Sequence, residues 1–537
     1  MEKENLSSSK PGEVYRKLEP DRHAYEYRAE KCAALSIPYL FPRQGDTRVD
    51  QFPTPYDSSA AYGVNTMASA ISLALLPPTI PFFRLEMEGA LELELRLIQD
   101  EFARQNQPER PLEEVQQSLG MWERAVVKEI ERRNYRVGVH EAVRHLLVGG
   151  NCLIEHLEEG GLTVHPLRSY VVRRYPDSAV AEIVLKETKE KAQLSEDEVE
   201  AIKSVDWAWG QLQNESKVPI YTRITYDHPK GQYRVVQQIG ELVVLEDRAV
   251  EGPIEQCPWW PLRFSRVSGE DYGRSYCEEY YGGIGSLDTT HQSLVEAGVL
   301  SAKVLFMVDP ASGINPKSLS TAPNGAFRSG RADGVTTLQV QKNADMEITF
   351  KVWQHLQSQI NRAFSTPEIR DAERVTAEEI RYLQQQLERS LGGSFPLLAL
   401  DLQLPMARQI IKRLSANGSL PRLPGKDLIA PVIVTGIQAL GRTMDSEKLT
   451  RFALTVQQIV GPAAAAQVID QSVLTTRLAT SEGIEAPGLI RSAEQIAAMN
   501  EAAQGAALQG KVTEKMVDAG GKVLTKAMPE GSMGQAA

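Results

Sequence analysis

Arg370 and Arg374 stand in a short charged run, Thr366-Pro-Glu-Ile-Arg-Asp-Ala-Glu-Arg374, in which Glu368, Asp371 and Glu373 alternate with them. In a lone chain such a run is a solvated turn. If identical copies point it at a common axis, the guanidinium groups form circles of positive charge that the carboxylates offset. Circles of that kind can touch phosphates in passing without trapping them. A second basic cluster lies between residues 303 and 342, where Lys303, Lys317, Arg328, Arg331 and Lys342 meet only Asp309 and Asp333, a local charge of +3 in an acidic chain. It reads either as a charged surface loop or as a contact surface for DNA or an acidic partner. Lys317, Arg328, Arg331 and Lys342 are its candidates.

Catalytic chemistry has no visible seat. A nucleotide-driven motor needs a Gly-x4-Gly-Lys-Ser/Thr loop to cradle phosphates, and none occurs. The eight histidines include no i, i+4 pair flanking a glutamate, as a metal-binding helix would. No serine sits in a Gly-x-Ser-x-Gly elbow. The four cysteines, Cys32, Cys152, Cys257 and Cys277, are too widely spaced for zinc or redox motifs and imply a reducing interior. Neither a cofactor nor a metal is expected.

The elements that would position these charges follow from periodicity. Met346, Phe350, Trp353, Leu356, Ile360 and Phe364 step by three and four, one stripe of an amphipathic helix over 344–364. Phe350, Trp353, Ile360 and Phe364 are its packing candidates, within the chain or against a neighbouring copy. Upstream, a helix is expected over about 275–303, roughly 43 Å if continuous. The two are joined by a small insert with strands near Val304–Val308 and Val335–Gln341. Downstream of the charged run, Thr376 and Glu379 form a capping box for a third helix. Gly392-Gly393, Pro396 and Pro405 should bend it. Ahead of all this, helices are expected at Glu19–Ala34 and Ser58–Leu76, with helical patterning over Leu93–Asn134 continued by Val137–Leu147, which Gly149-Gly150 stops. Short alternating strands run from Cys152 to Pro261, interrupted by a charged insert at 195–204. Residues 1–12 are polar and read as a mobile arm.

The chain of 537 residues can hold several cores, and 42% hydrophobic with 24% charged residues is ordinary for a globular protein. A net charge of -11 argues against a broad nucleic-acid-holding face. The longest apolar run, 67–83, carries three prolines, so no membrane span is expected. The fold class is α+β, predominantly helical.

Several segments are similar, in the same order, to the portal (head-to-tail connector) proteins of short-tailed podovirus-type bacteriophages. They are Tyr25-Glu-Tyr-Arg-Ala-Glu-Lys-Cys-Ala33, Ile37-Pro-Tyr-Leu-Phe-Pro42, Tyr272-Gly-Arg-Ser-Tyr276, Leu338-Gln-Val-Gln-Lys342, Glu373-Arg-Val-Thr-Ala-Glu-Glu-Ile-Arg-Tyr382, Leu391-Gly-Gly393 and Leu402-Gln-Leu-Pro405. The resemblance implies a dodecameric ring at one capsid vertex, assembled in the host cytoplasm and carried in the virion. It implies an N-terminal arm at 1–19, an α+β wing at 20–273, a stem helix at 274–303, a clip at 304–343 and a second stem helix at 344–364. A tunnel loop at 365–376 would face DNA, followed by a bent wing helix at 377–430, a helical crown at 431–510 and a flexible tail at 511–537. The implied partners are further copies of the chain, duplex DNA, a terminase, a tail adaptor, and the major capsid and scaffolding proteins. Two alternatives stay open: a hydrolase or nuclease with an unrecognised acidic site, and a scaffold without a DNA channel.

Overall fold

A computed structural model describes residues 10–42, 53–78, 82–86, 111–194, 217–240, 243–302, 305–327, 331–338, 343–364, 391–420, 432–435 and 441–461, with a few single positions between them. Two compact units divide the chain, 1–440 and 441–537. In the second, a single helix, Gly441–Val460, is described, with Phe452 and Ile459 exposed on it.

The first helix, α1, spans Pro11–Ala34. Residues 11–19, expected to belong to the arm, are therefore helical. Pro11 suits the first turn, where an N–H would have no partner. Pro20 lies inside the helix, which is why periodicity alone starts it at Glu19. An internal proline costs about 3 kcal/mol. Val14, Tyr15 and Leu18, all buried on the N-terminal side of Pro20, offset that cost at about 1.5–3 kcal/mol for each fully buried large side chain.

Those three residues pack on Val171, Val184 and Tyr221, one face of a five-stranded antiparallel sheet. Its strands are β4 (Tyr170–Arg174), β5 (Val180–Glu190), β6 (Lys217–Asp227), β7 (Gln232–Ile239) and β8 (Val243–Pro253), in sequence order. Successive side chains point to opposite faces. Hence Val172, Ile183, Leu185, Ile224, Tyr226 and Val235 enter the main core on the other side. A three-stranded sheet sets β2 (Asn151–His156) between β3 (Leu162–Pro166) and β9 (Trp259–Arg263). Helices α2 (Ser59–Leu75), α3 (Pro111–Arg132) and α4 (Tyr135–Gly149) complete that core. The boundary between the two helical runs falls at Asn134, where the first was expected to end, with φ 54°, a conformation Asn tolerates better than most residues. The charged insert expected at 195–204 lies almost wholly outside the described residues.

Two contacts join distant parts of the first unit. Strand β1 (Phe83–Glu86) pairs antiparallel with β12 (Val432–Thr435), tying the end of that unit back to its beginning. Gly150, at φ 75°, ends α4 where a Cβ would sit 2.7 Å from the backbone of Arg274 and Ser275. This close approach places the run 272–276 against the core.

Candidate functional site: the helix pair and its insert

Each residue of Tyr272-Gly-Arg-Ser-Tyr276 has a separate task at the base of the helix pair. The Tyr272 hydroxyl accepts the N–H of Val172 at 3.1 Å. Gly273 exchanges two hydrogen bonds with the Asn151 side-chain amide, at 2.6 and 2.9 Å. Arg274 bridges Glu270 and Glu278, and Ser275 caps the next helical turn by accepting from the N–H of Glu278 at 3.0 Å. The Tyr276 hydroxyl donates to the carbonyl of Ala363 at 2.7 Å, joining the start of one helix to the end of the other.

The expected single helix at 275–303 is two: a turn, Tyr276–Glu279, and then α5, Tyr281–Ala302. Its companion α6 is Asn343–Ala363. They run antiparallel, since Tyr276 meets Ala363 at the base while Ser301 meets Met346 at the far end. Ile284, Leu287, Ile360 and Phe364 are buried near the base. Trp353 is half-buried, and Phe350 is 45% exposed, stacked on Trp353 with centroids 5.6 Å apart. The four candidate packing residues thus divide along the helix. Ile360 and Phe364 lie within the core, Trp353 packs against its edge, and Phe350 is the most exposed of the four.

One buried carboxylate links the pair to α2. Asp57 accepts from the N–H of Ser59, the first residue of α2, at 2.8 Å, and its other oxygen accepts from the Trp353 indole at 3.2 Å. That oxygen also lies 3.3 Å from Nδ1 of His291 on α5. The Asp57 N–H donates to Asp288, also on α5, at 3.0 Å. No periodicity signals this node.

At the far end, β10 (Leu305–Val308) pairs antiparallel with β11 (Val335–Leu338), so the expected insert is present. Lys317 and Arg331 are exposed, and Arg331 pairs with Asp333 at 3.1 Å. Arg328 and Lys342 lie outside the described residues. Reading the insert by charge missed its apolar surface: Phe306 is 65% exposed, Met307 59% and Phe327 fully exposed. The charged run 365–376, with Glu368, Arg370, Asp371, Glu373 and Arg374, lies outside the described residues, as does the Thr376–Glu379 capping box.

Beyond it the chain turns at Gly392, φ 55°, and continues through Ser394–Leu398, a π-helical stretch Ala399–Gln403 and α7, Leu404–Ala416. Of the expected bends, the turn falls at the glycine pair, whereas both prolines sit within helical structure. Pro405 cannot bond the carbonyl of Asp401, and its ring crowds that carbonyl; the wider π turn just before it relieves both. Burial pushes the Asp401 carboxyl up, against the pull of Arg174, Arg263 and Arg266. Gln403 donates to the carbonyl of Leu75 at 2.6 Å. Arg413 donates to the Tyr135 hydroxyl at 2.7 Å and pairs with Glu129 at 3.1 Å. Burial pushes His156 down to about 4, so its ring is neutral, and its Nε2 hydrogen-bonds with the Tyr135 hydroxyl at 2.8 Å. This network resembles a catalytic cluster in composition only, because Tyr135 is fully buried and Glu129 and His156 nearly so. It anchors α7.

Among the described residues, no three His, Cys, Asp or Glu side chains gather as a metal site, and no helix is long and apolar enough to cross a membrane. The four cysteines are unpaired and buried, and burial pushes their thiols up. Such thiols are poor nucleophiles.

Comparison with known proteins accounts for this layout. Residues 10–490 match the family described as bacteriophage head to tail connecting protein. The portal protein of Enterobacteria phage T3 is 34% identical over 98% of this chain and 96% of its own. That of Escherichia phage T7 is 34% identical over 90% and 88%, and that of Enterobacteria phage SP6 27% identical over 83% and 82%. Among solved structures, a chain from the neck of an empty gene transfer agent particle aligns over 80% of this chain and 90% of its own, at 12% identity and a TM-score of 0.35. The chain belongs to the family of bacteriophage head to tail connecting proteins, the portal proteins of short-tailed phages.

Proposed function

We propose that copies of this chain close into a dodecameric ring at one capsid vertex, through which a separate terminase drives duplex DNA and from which the DNA later leaves. The protein does no chemistry of its own in this reading; it supplies a passage and weak, mobile electrostatics. The wing is assigned to residues 20–273 and 377–430, with helical residues 11–19 added to it. Residues 274–303 and 344–364 form the stem, 304–343 the clip that meets the tail adaptor, 365–376 the tunnel loop and 431–510 the crown. The same ring would be met by the major capsid and scaffolding proteins during assembly in the host cytoplasm.

The observation that carries this reading is the helix pair leaving the core and ending in an insert rich in exposed apolar side chains. Val299, Leu300, Phe306, Ile348 and Val352 are each 48–65% exposed. Exposed apolar side chains gathered at one end of a helix pair mark a surface made to be covered. Negative-stain imaging of the purified protein, with native mass to count subunits, tests the proposal. Closed rings with an axial hole are expected; a compact monomer across salt and concentration would overturn it.

A further inference from the structure

We infer that the two exposed sides of α6 meet different partners in the ring, and that the amide-rich side, Gln354, Gln357, Ser358 and Asn361, is the wall along which duplex DNA slides. This rests on the portal reading above. The four residues recur at i, i+3, i+4 and i+7, which puts them on one side of the helix. With Arg362 they line a shallow open groove of about 420 Å³. The groove contains one guanidinium and no carboxylate. Toward the insert, the same side carries Phe350, 45% exposed, with Glu347 and Lys351, which neutralise each other at 2.8 Å.

The other exposed side carries Ile348 and Val352, 64% and 48% exposed. On α5, Val295 and Val299 are 43% and 53% exposed, and they too lie toward the insert end of the antiparallel pair. A ring interface is heterologous, so two different patches of the chain must match each other. Ile348 and Val352 of one copy meet Val295 and Val299 of the next at the same height, and the removal of apolar surface from water favours the contact. With that side covered by a neighbouring copy, the amide side is left facing the lumen. Side-chain amides and hydroxyls hydrogen-bond phosphate oxygens without the counterion release that makes lysine-rich surfaces hold DNA. A duplex on this wall is wetted and guided but not retained.

A photo-crosslinking amino acid placed at Ser358, and separately at Val352, in the full-length chain assembled into heads tests the assignment. Position 358 should yield DNA adducts in filled heads, and position 352 chain-to-chain adducts in filled and empty heads alike. Chain-to-chain adducts at 358, DNA adducts at 352, or no DNA adduct at 358 in filled heads would overturn the wall assignment while leaving the portal reading intact. A chain that forms no ring, detected as a monomer with no adduct at 352, would overturn the portal reading itself. As a second arm, the pair Gln357→Lys and Asn361→Lys should slow DNA exit at low salt by about tenfold or more and steepen its salt dependence, while Gln357→Ser with Asn361→Ser leaves exit within about twofold. Unchanged exit in the lysine pair also counts against the wall.

Discussion

The hydroxyl of Tyr276 donates to the main-chain carbonyl of Ala363 across 87 residues of sequence, with the Tyr276 ring edge-on to Phe364 at 5.3 Å. It fastens the two proposed stem helices where they leave the core. Tyr276→Phe keeps the ring contacts and leaves the partly buried carbonyl without this donor. Chemical denaturation should show a loss of about 1–2 kcal/mol. Phe364→Ala, which opens a cavity beside the same ring, should cost about 3–5 kcal/mol. A Phe variant as stable as the parent would show that water replaces the hydroxyl.

The Asp57 node predicts a local effect with a built-in reporter. Asp57→Ala removes the acceptor of the Ser59 N–H at the start of α2 together with the acceptor of the Trp353 indole. Loss of one such hydrogen bond costs about 1 kcal/mol, and the freed indole should shift toward water-exposed emission. Difference spectra against Trp353→Phe isolate that signal from the other five tryptophans. An unchanged Trp353 spectrum in Asp57→Ala would mean that the indole does not depend on this carboxylate.

Most strands between Cys152 and Pro261, the insert between two helices and the glycine turn at 392 were legible in the sequence, because alternation, helical spacing and turn residues are local signals; strand β1 at Phe83–Glu86 was not. The start of α1 was not legible: Pro20 reads as a helix breaker until the burial of Val14, Tyr15 and Leu18 against the sheet is known. The stripe Phe350, Trp353, Ile360 and Phe364 gave the correct helix but not how far the core extends along it. The Asp57–Trp353 bond spans 296 residues, and its partners obey no period. The run Tyr272-Gly-Arg-Ser-Tyr276 stood out by resemblance, yet its work with Asn151, Glu270 and Ala363 emerges only in the folded chain.

Acid should destabilise the protein through two buried neutral histidines. Burial pushes both His145 and His156 from 6.5 down to about 4. Both are depressed in the folded state, so the unfolded chain binds the proton more readily between pH 6.5 and about 4. Their contribution is fully present above pH 6.5 and falls as the pH drops through that window, by about 1.4 kcal/mol per pH unit for each histidine at most. Urea midpoints measured from pH 7.5 to 4.5 should decline, and His156→Gln, which keeps a side-chain acceptor near Tyr135, should flatten the decline. An equal slope in the variant would place the acid sensitivity elsewhere.

Replacing both Arg370 and Arg374 by Ala tests the proposed tunnel loop independently of the stem. If these side chains ring the axis, their loss leaves Glu368, Asp371 and Glu373 unopposed, and the run goes from a net charge of -1 to -3 in each copy. Like charge between loop and phosphates raises the barrier to entry and weakens any hold on the packaged end. Rings should form with the parent's subunit number, since assembly in this reading depends on apolar surfaces such as Ile348 and Val352. Filled heads should become fewer, or should lose their DNA sooner on mild heating. Because the barrier is electrostatic, raising salt should narrow the gap between variant and parent. A packaging or retention defect that persists at high salt would point to a steric role for the segment, and unchanged packaging with unchanged retention would remove both arginines from the channel.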